Sequence, residues 1–587
     1  MSHYDLPRVH FRGEFVANVP TANNNDIAIA FPNQQFVDVS RVRLDTSGMT
    51  DAQFSLWLQQ IAPPLGIRAG WNLFGDGYCD VPNSVVQSVH TKEHGVVTST
   101  SEDPFVGATV SFPLGAVMVA LDPEGTLATQ IFCDGIHVSV GAGMGLQIGP
   151  MRFFCRNVGR RNLNARGFSS AAASWFAAIP HDQLSIDKGR SPVLSTFGEA
   201  HDQGFGIQVA FCTYFLRPRF SQTRLAADFA SGLSTRNPAI GRWIGTISVW
   251  DPAEMRTATT GRRLFPSADL QHDHQQFRLN TALTTVQSDR LEVTIDLTST
   301  FPEVDETLAK VNVGEVRLGA VTSSGGGERM VDIGEVRYDR STYERQSGLV
   351  DVPYTADKQA AIDSGNLVLY LKDSGTRVLT ERRWDACSDD RCVYLQEGES
   401  RELTFRVFDK GVMSMNEVEV RVVQYDMTNR VMTPVAPGAG IVGHVEDLPV
   451  PAGGQITFEI VAQRPGVCVL AILPQGEDDQ SLEFLVNIRV FPLDDYSAVP
   501  ESAVTFDFIY NEVLRYYHLL YPAMSERFSL DNEFRVRLKA AEIKKRISAT
   551  LFASVAYMPI TRDLSDGKRN LLERWCNLAI GGEDPVV

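Results

Sequence analysis

Cysteine is scarce in this chain: eight occur in 587 residues, at positions 79, 133, 155, 212, 387, 392, 468 and 576. Such scattered usage excludes the disulfide framework of a small secreted domain and suits reduced thiols in a cytoplasm. The one close pair, Cys387 and Cys392 in CSDDRC, has no second Cys or His pair to complete a tetrahedral zinc site. Basic charge is also short, with 54 Lys and Arg against 71 Asp and Glu, a formal net of −17 that no run of like charges concentrates. That balance argues against nucleic acid or an anionic membrane as a partner. No uninterrupted apolar stretch approaches the roughly 18 residues of a membrane helix, and no short apolar run follows a basic patch at the start. A soluble, cytoplasmic protein is expected.

Familiar catalytic signatures are missing as well. No G-x-S-x-G elbow, Walker sequence, H-E-x-x-H or C-x-x-C-H occurs, which removes support for standard hydrolase, nucleotide-binding and c-type haem chemistry. The glycines of GAGMGLQIG at 141–149 lie outside any βαβ unit and do not make a dinucleotide fingerprint.

What the chain does have is period-two alternation punctuated by Gly, Pro, Asn and Asp, as in VGATVSFPLGAVMVALDPEG and DRLEVTIDLTSTFP. The fold class expected is mainly β, with several sandwich or barrel modules, one of them immunoglobulin-like, followed by a short C-terminal helical segment. The modules are placed at 1–290, 291–395, 396–498 and 499–587. GEVR occurs at both Gly314 and Gly334 around SSGGGE, predicting a hairpin with a Gly-rich tip. Beyond residue 500 the apolar period shifts to 3.6: FDFIYNEVLRYYHLLYPAMSERF, FRVRLKAAEIKKRI and 565–578, with Ser565 as N-cap, read as helices.

The opening LPRVHFRGEFVANVPTANNN sets Arg8, His10, Arg12 and Glu14 on one face of a strand and Val9, Phe11 and Phe15 on the other. Two arginines beside His10 favour a neutral imidazole, available as acceptor or base, with Arg8 and Arg12 able to hold carboxylates. The alternative is a solvent-facing edge strand. In DLQHDHQQF, His272 and His274 with Asp269 have the donor types of a metal site, against a reading as a solvated loop. Tyr343 sits among Arg337, Arg340 and Arg345 in RYDRSTYERQ, where guanidinium charge would favour the phenolate that a Tyr ligand to haem iron requires. A surface strand of alternating charge is the plainer reading there.

The opening stretch resembles the start of the iminophenyl-pyruvate dimer synthases, or chromopyrrolate synthases, of violacein and rebeccamycin biosynthesis. The likeness continues through VGATVSFPLG, LDPEGTLATQIFCDG, GTISVWDPAEMRTATTGRRLFP, YERQSGLVDVP and RPGVCVLAIL, and is strong again in IYNEVLRYYHLLYPAMSERFSL and YMPITRDLSDGKRNLLERW. Family members continue into a ferritin-like helical domain with Glu-x-x-His iron ligands, whereas none of the eleven histidines here has a Glu three residues before it. The resemblance therefore covers the family's β-rich N-terminal region.

It implies a specialised-metabolism protein related to oxidative coupling of indole-pyruvate imines: a haem-dependent oxidoreductase acting on a small aromatic amino-acid-derived substrate. His10 would be the distal acid/base, Arg8 or Arg12 a carboxylate clamp and Tyr343 the axial ligand. The alternative is a non-catalytic β-rich scaffold or ligand-binding module that docks a separate ferritin-like partner.

Overall fold

The opening strand, Arg8–Ala17, pairs along one edge with Ile240–Trp250, in register from Arg8 opposite Ser248 to Val16 opposite Ile240. The computed structural model describes residues 4–17, 37–38, 40–46, 48–56, 78–121, 129–141, 143–160, 169–217, 240–272, 275–304, 309–324, 327–426, 433–436, 438–474, 476, 485–521 and 528–581. From Ile240–Trp250 the sheet passes through Gly206–Arg217, Ser169–Ile179, Met151–Arg160, Thr129–Cys133, Ala116–Ala120 and Tyr78–Asp80, and the last strand returns to Val16 and Ala17. The sheet thus closes into a barrel, and alternation sends every second side chain inward. Val9, Phe11 and Phe15 meet Phe153, Trp175, Phe211 and Trp243 inside it. The Phe11 and Trp243 rings lie 4.4 Å apart and those of Phe211 and Trp243 5.2 Å apart. Gly13 is required here, because a Cβ would sit 2.0 Å from Ser84 Oγ, which accepts a 2.7 Å hydrogen bond from Trp243 Nε1.

A second sheet of eight strands packs outside the barrel, in the order Gly327–Val336, Val316–Ser324, Asn366–Leu371, Arg377–Glu381, Arg262–Pro266, Ala282–Gln287, Glu292–Asp296 and Leu349–Pro353. The repeated GEVR segments pair as expected, with Val316 opposite Val336. The module boundary expected at 290–291 falls instead inside a hairpin of this sheet, between Ala282–Gln287 and Glu292–Asp296. Nothing in composition marks the sheet's start at Arg262, because both sides of the hairpin alternate in the same way.

The expected sandwich is present, with its two sheets sharing a core that includes Leu403, Phe405, Ile460, Leu470 and Ile488. It begins at Trp384 rather than 396, since Cys392–Gln396 pairs in parallel with Val486–Phe491 across a long separation. All eight cysteines are buried.

The helical segment forms with one difference. Residues 506–520 run continuously through a π turn at Tyr510–Leu514, burying Ile509, Val513, Leu514, Tyr517 and Leu520. Ser565 Oγ accepts from Lys568 N at 3.3 Å and caps Asp566–Gly581 as expected. The basic helix is broken at Lys539 into Glu533–Leu538 and Ala540–Arg546. Val37, Val42 and Phe54, from the start of the chain, complete this core. Among the described residues no helix is long and apolar enough to cross a membrane.

The outer face of the opening strand is not a wet edge. Its first half is covered by the second sheet through a polar seam. Arg8, fully buried, binds both oxygens of Asp351 at 2.8 and 3.0 Å, donates to the Tyr4 carbonyl at 2.6 Å and reaches Thr294 Oγ1 at 3.0 Å. Ser88 Oγ donates to the Arg345 carbonyl at 2.6 Å, and Ser347 Oγ to the Phe11 carbonyl at 3.2 Å.

Two predictions follow from this seam. Arg8→Met leaves the Asp351 carboxylate without its cation and is expected to cost about 3 to 5 kcal/mol of unfolding free energy, measured by urea denaturation; a loss below about 1 kcal/mol would mean the pair is solvent-screened. The second concerns acid. His90 Nδ1 lies 3.7 Å from Asp351, yet burial first and the Arg8 charge second push its imidazole down to about 4. An unfolded histidine titrates at about 6.5, so between these values the unfolded chain holds the proton and the folded chain does not. Stability is therefore full above about pH 6.5 and falls toward pH 4, by about 3 kcal/mol for a shift of this size. Burial raises the Asp351 carboxyl, but Arg8 outweighs it and holds the group low, which adds a further loss in stronger acid. His90→Gln should reduce the slope of Tm against pH between 4 and 6.5, and an unchanged slope would place the acid sensitivity elsewhere.

Candidate functional site

Where the second half of the opening strand runs past the seam, its outer face lines a cleft of about 470 Å³, the scale of a small-molecule site. The strand register builds one wall: Arg12 lies opposite Ile244, Glu14 opposite Arg242, and Arg242 opposite Tyr214, so these side chains share one face of three strands. The facing wall is a helical turn, Arg340–Arg345, started by Asp339, whose carboxylate accepts from Thr342 N. That turn presents Arg340, Tyr343 and Glu344 to the cleft, and Lys310 closes one end.

Tyr214 and Tyr343 form the floor, both buried, with hydroxyls 2.5 Å apart and both reaching the Thr298 carbonyl. Lys310 Nζ lies 4.8 and 4.4 Å from the two ring centroids and 2.5 Å from the buried Glu303 carboxylate. A lysine ammonium held between a carboxylate and two ring faces is an electrostatic anchor for the floor. At the rim, Glu344 binds Arg12 at 3.1 Å and Arg340 at 2.9 Å, and Asn83 donates to Glu14 at 2.8 Å. Arg242 is exposed and makes no ion pair among the described residues. The cleft is thus an aromatic floor under a predominantly cationic mouth.

Of the residues singled out in the sequence, the fold brings Arg12 and Tyr343 together here and leaves Arg8 and His10 behind in the seam. Arg8 does hold a carboxylate, but it is Asp351. His10 is fully buried with Nδ1 2.9 Å from Thr246 Oγ1, and its Nε2 has no hydrogen-bond partner among the described residues. Burial, then the Arg8 charge, hold its imidazole well below the ordinary range and hence neutral. Tyr343 lies on a helical turn, not a strand. The Asp339 cap and the Arg340–Glu344 spacing of four are the local signals for that turn.

A haem between Tyr343 and His10 does not fit these residues. The Tyr343 oxygen is turned onto Tyr214 and the Thr298 carbonyl, and His10 is not among the groups lining the cleft. Asp269, proposed as a metal ligand, binds Arg278 and accepts from Gln276 Nε2 at 2.7 Å; His274 and the side chain of His272 lie outside the described residues. Among the described residues no group of three or more His, Cys, Asp or Glu is placed to hold a metal. Tyr214, Arg242 and Lys310 were not legible as site residues, because only strand pairing and packing bring their distant segments to one place, whereas Glu344 adjoins Tyr343 and was passed over.

No family model matches the chain. It is 24% identical to the 2-imino-3-(indol-3-yl)propanoate dimerase of Chromobacterium violaceum, over 98% of this chain and 58% of that protein. It is also 24% identical to the dichlorochromopyrrolate synthase of Lentzea aerocolonigenes, over 97% of this chain and 56% of that one. The chain therefore spans less than three-fifths of the length of either relative. Among solved structures, the D0-D1 domain of Intimin is matched over 34% of this chain and 90% of its own at 10% identity and a TM-score of 0.14, too slight a likeness to inform the fold. Along nearly its whole length, the chain is similar to just under three-fifths of proteins such as the 2-imino-3-(indol-3-yl)propanoate dimerase and the dichlorochromopyrrolate synthase, and resembles that family.

Proposed function

We propose that this chain serves specialised metabolism related to the oxidative coupling of indole-pyruvate imines, and that its cleft binds an aromatic 2-imino or 2-oxo carboxylate. The observation that carries the reading is the pairing of the Tyr214–Tyr343 floor with the arginine mouth in one 470 Å³ cleft. A planar aromatic group gains most from ring contacts and apolar burial, while a carboxylate gains most from guanidinium donors. The name of the Chromobacterium violaceum relative, an indolyl imino-propanoate dimerase, supplies a ligand with both features. The residues of the cleft would orient such a molecule: the arginines of the mouth face its carboxylate, with exposed Arg242 adding positive potential beside Arg12 and Arg340, and Lys310 lies against the two rings.

The test is isothermal titration of the folded chain with indole-3-propanoate, which keeps the ring and the carboxylate of that ligand. Binding is expected, and Arg242→Ala should weaken it about two- to fivefold, the size of one exposed charge interaction, without altering thermal stability. Absence of binding to the wild-type chain would overturn this reading and favour a scaffold role. A second check is the ultraviolet-visible spectrum of protein produced with a haem precursor. No stoichiometric absorbance near 400 nm is expected from a site in which the Tyr343 hydroxyl is engaged by Tyr214 and the Thr298 carbonyl, and its presence would reverse that conclusion.

A further inference from the structure

Glu344 stands apart from the other carboxylate of the cleft. Each of its oxygens faces a different guanidinium, Oε2 to Arg12 Nη1 at 3.1 Å and Oε1 to Arg340 Nε at 2.9 Å. That is how a ligand's carboxylate would be held by the same two arginines. Glu14, by contrast, is bound by the neutral amide of Asn83. The Arg12 and Arg340 side chains are 51% and 52% exposed and Glu344 25%, so water screens the contacts and they are weak. The buried Arg8–Asp351 pair is the opposite case: fully enclosed on the arginine side, with every oxygen occupied, it has no room for exchange. Glu344 also adjoins Tyr343 on one helical turn, which places the Arg12–Arg340 pair beside the aromatic floor.

Resting on the reading that the cleft takes an aromatic carboxylate, we infer that the Arg12–Arg340 pair is its carboxylate pole and that Glu344 occupies this pole in the free protein as an internal stand-in. The incoming carboxylate exchanges with Glu344, which turns outward to water; no bond is made or broken and charge is conserved at the pole. Glu344 thereby becomes a specificity residue. A ligand with two anionic oxygens can replace it, whereas a neutral amide has too little to offer two cations and leaves Glu344 in place.

The experiment compares the wild-type chain with Glu344→Gln and Glu14→Gln, titrating each with indole-3-propanoate and with indole-3-propanamide, after thermal melts confirm folding. Glu344→Gln weakens the internal competitor while keeping its shape, so it should bind the acid about three- to tenfold tighter, the scale of two exposed ion pairs, with amide binding unchanged. Glu14→Gln removes the same charge from the same cleft without touching the arginine pair and should produce a much smaller gain. Equal or weaker binding of the acid by Glu344→Gln overturns the exchange, and so does an equal gain in Glu14→Gln, which would reduce the effect to net charge. Failure of the wild-type chain to bind the acid removes the ligand reading itself, whereas binding without the Glu344→Gln gain overturns the exchange alone.

Discussion

The architecture depends on one buried ion pair. Arg8 leaves the barrel on the outer face of its opening strand and ends on Asp351 in the edge strand of the second sheet. A charge taken out of water costs several kcal/mol unless its donors are filled, and Arg8 finds the Asp351 carboxylate, the Tyr4 carbonyl and the Thr294 hydroxyl. Because those partners come from three segments, satisfying the guanidinium fixes the second sheet against the barrel. The neighbouring contacts of Ser88 and Ser347 repeat the arrangement with backbone carbonyls. The seam is polar and directional, and so specifies one docking geometry where an apolar interface would tolerate several.

The cleft is a consequence of where that seam stops. His10 is still covered, while two residues further on Arg12 is half exposed, and the strand has passed out from under the second sheet. The helical turn that follows Asp339 bridges the gap and supplies Tyr343, Arg340 and Glu344. A strand with one chemical face thus does two different things along its length. Four residues of alternating ionisable character become an interlock at one end and a cleft wall at the other.

The apolar face of the opening strand was legible in the sequence, since Val9, Phe11 and Phe15 alternate as a strand must; that they meet Phe211 and Trp243 inside a closed barrel was not. The GEVR hairpin and the Ser565 cap were equally local, since turn chemistry and capping act over a few residues. The second sheet's start at Arg262 and the sandwich's start at Trp384 were not, because a hairpin or a long-range parallel pairing leaves no compositional break. At the site, the sequence pointed to Arg12 and Tyr343 but joined them with His10, which the fold buries elsewhere.

Residue type and spacing by themselves determined the mainly β class, the change to helical period near residue 500, and the division of the opening strand into an apolar and an ionisable face. Those are consequences of side-chain periodicity, which acts within one element. Which ionisable groups meet was decided only by tertiary structure. Arg8 meets Asp351 across 343 residues and Tyr214 meets Tyr343 across 129, distances over which pairing register and packing, not local preference, choose the partner. The same strand pattern would serve as a wet edge, a buried seam or a cleft wall, and only the sheet packed against it decides which.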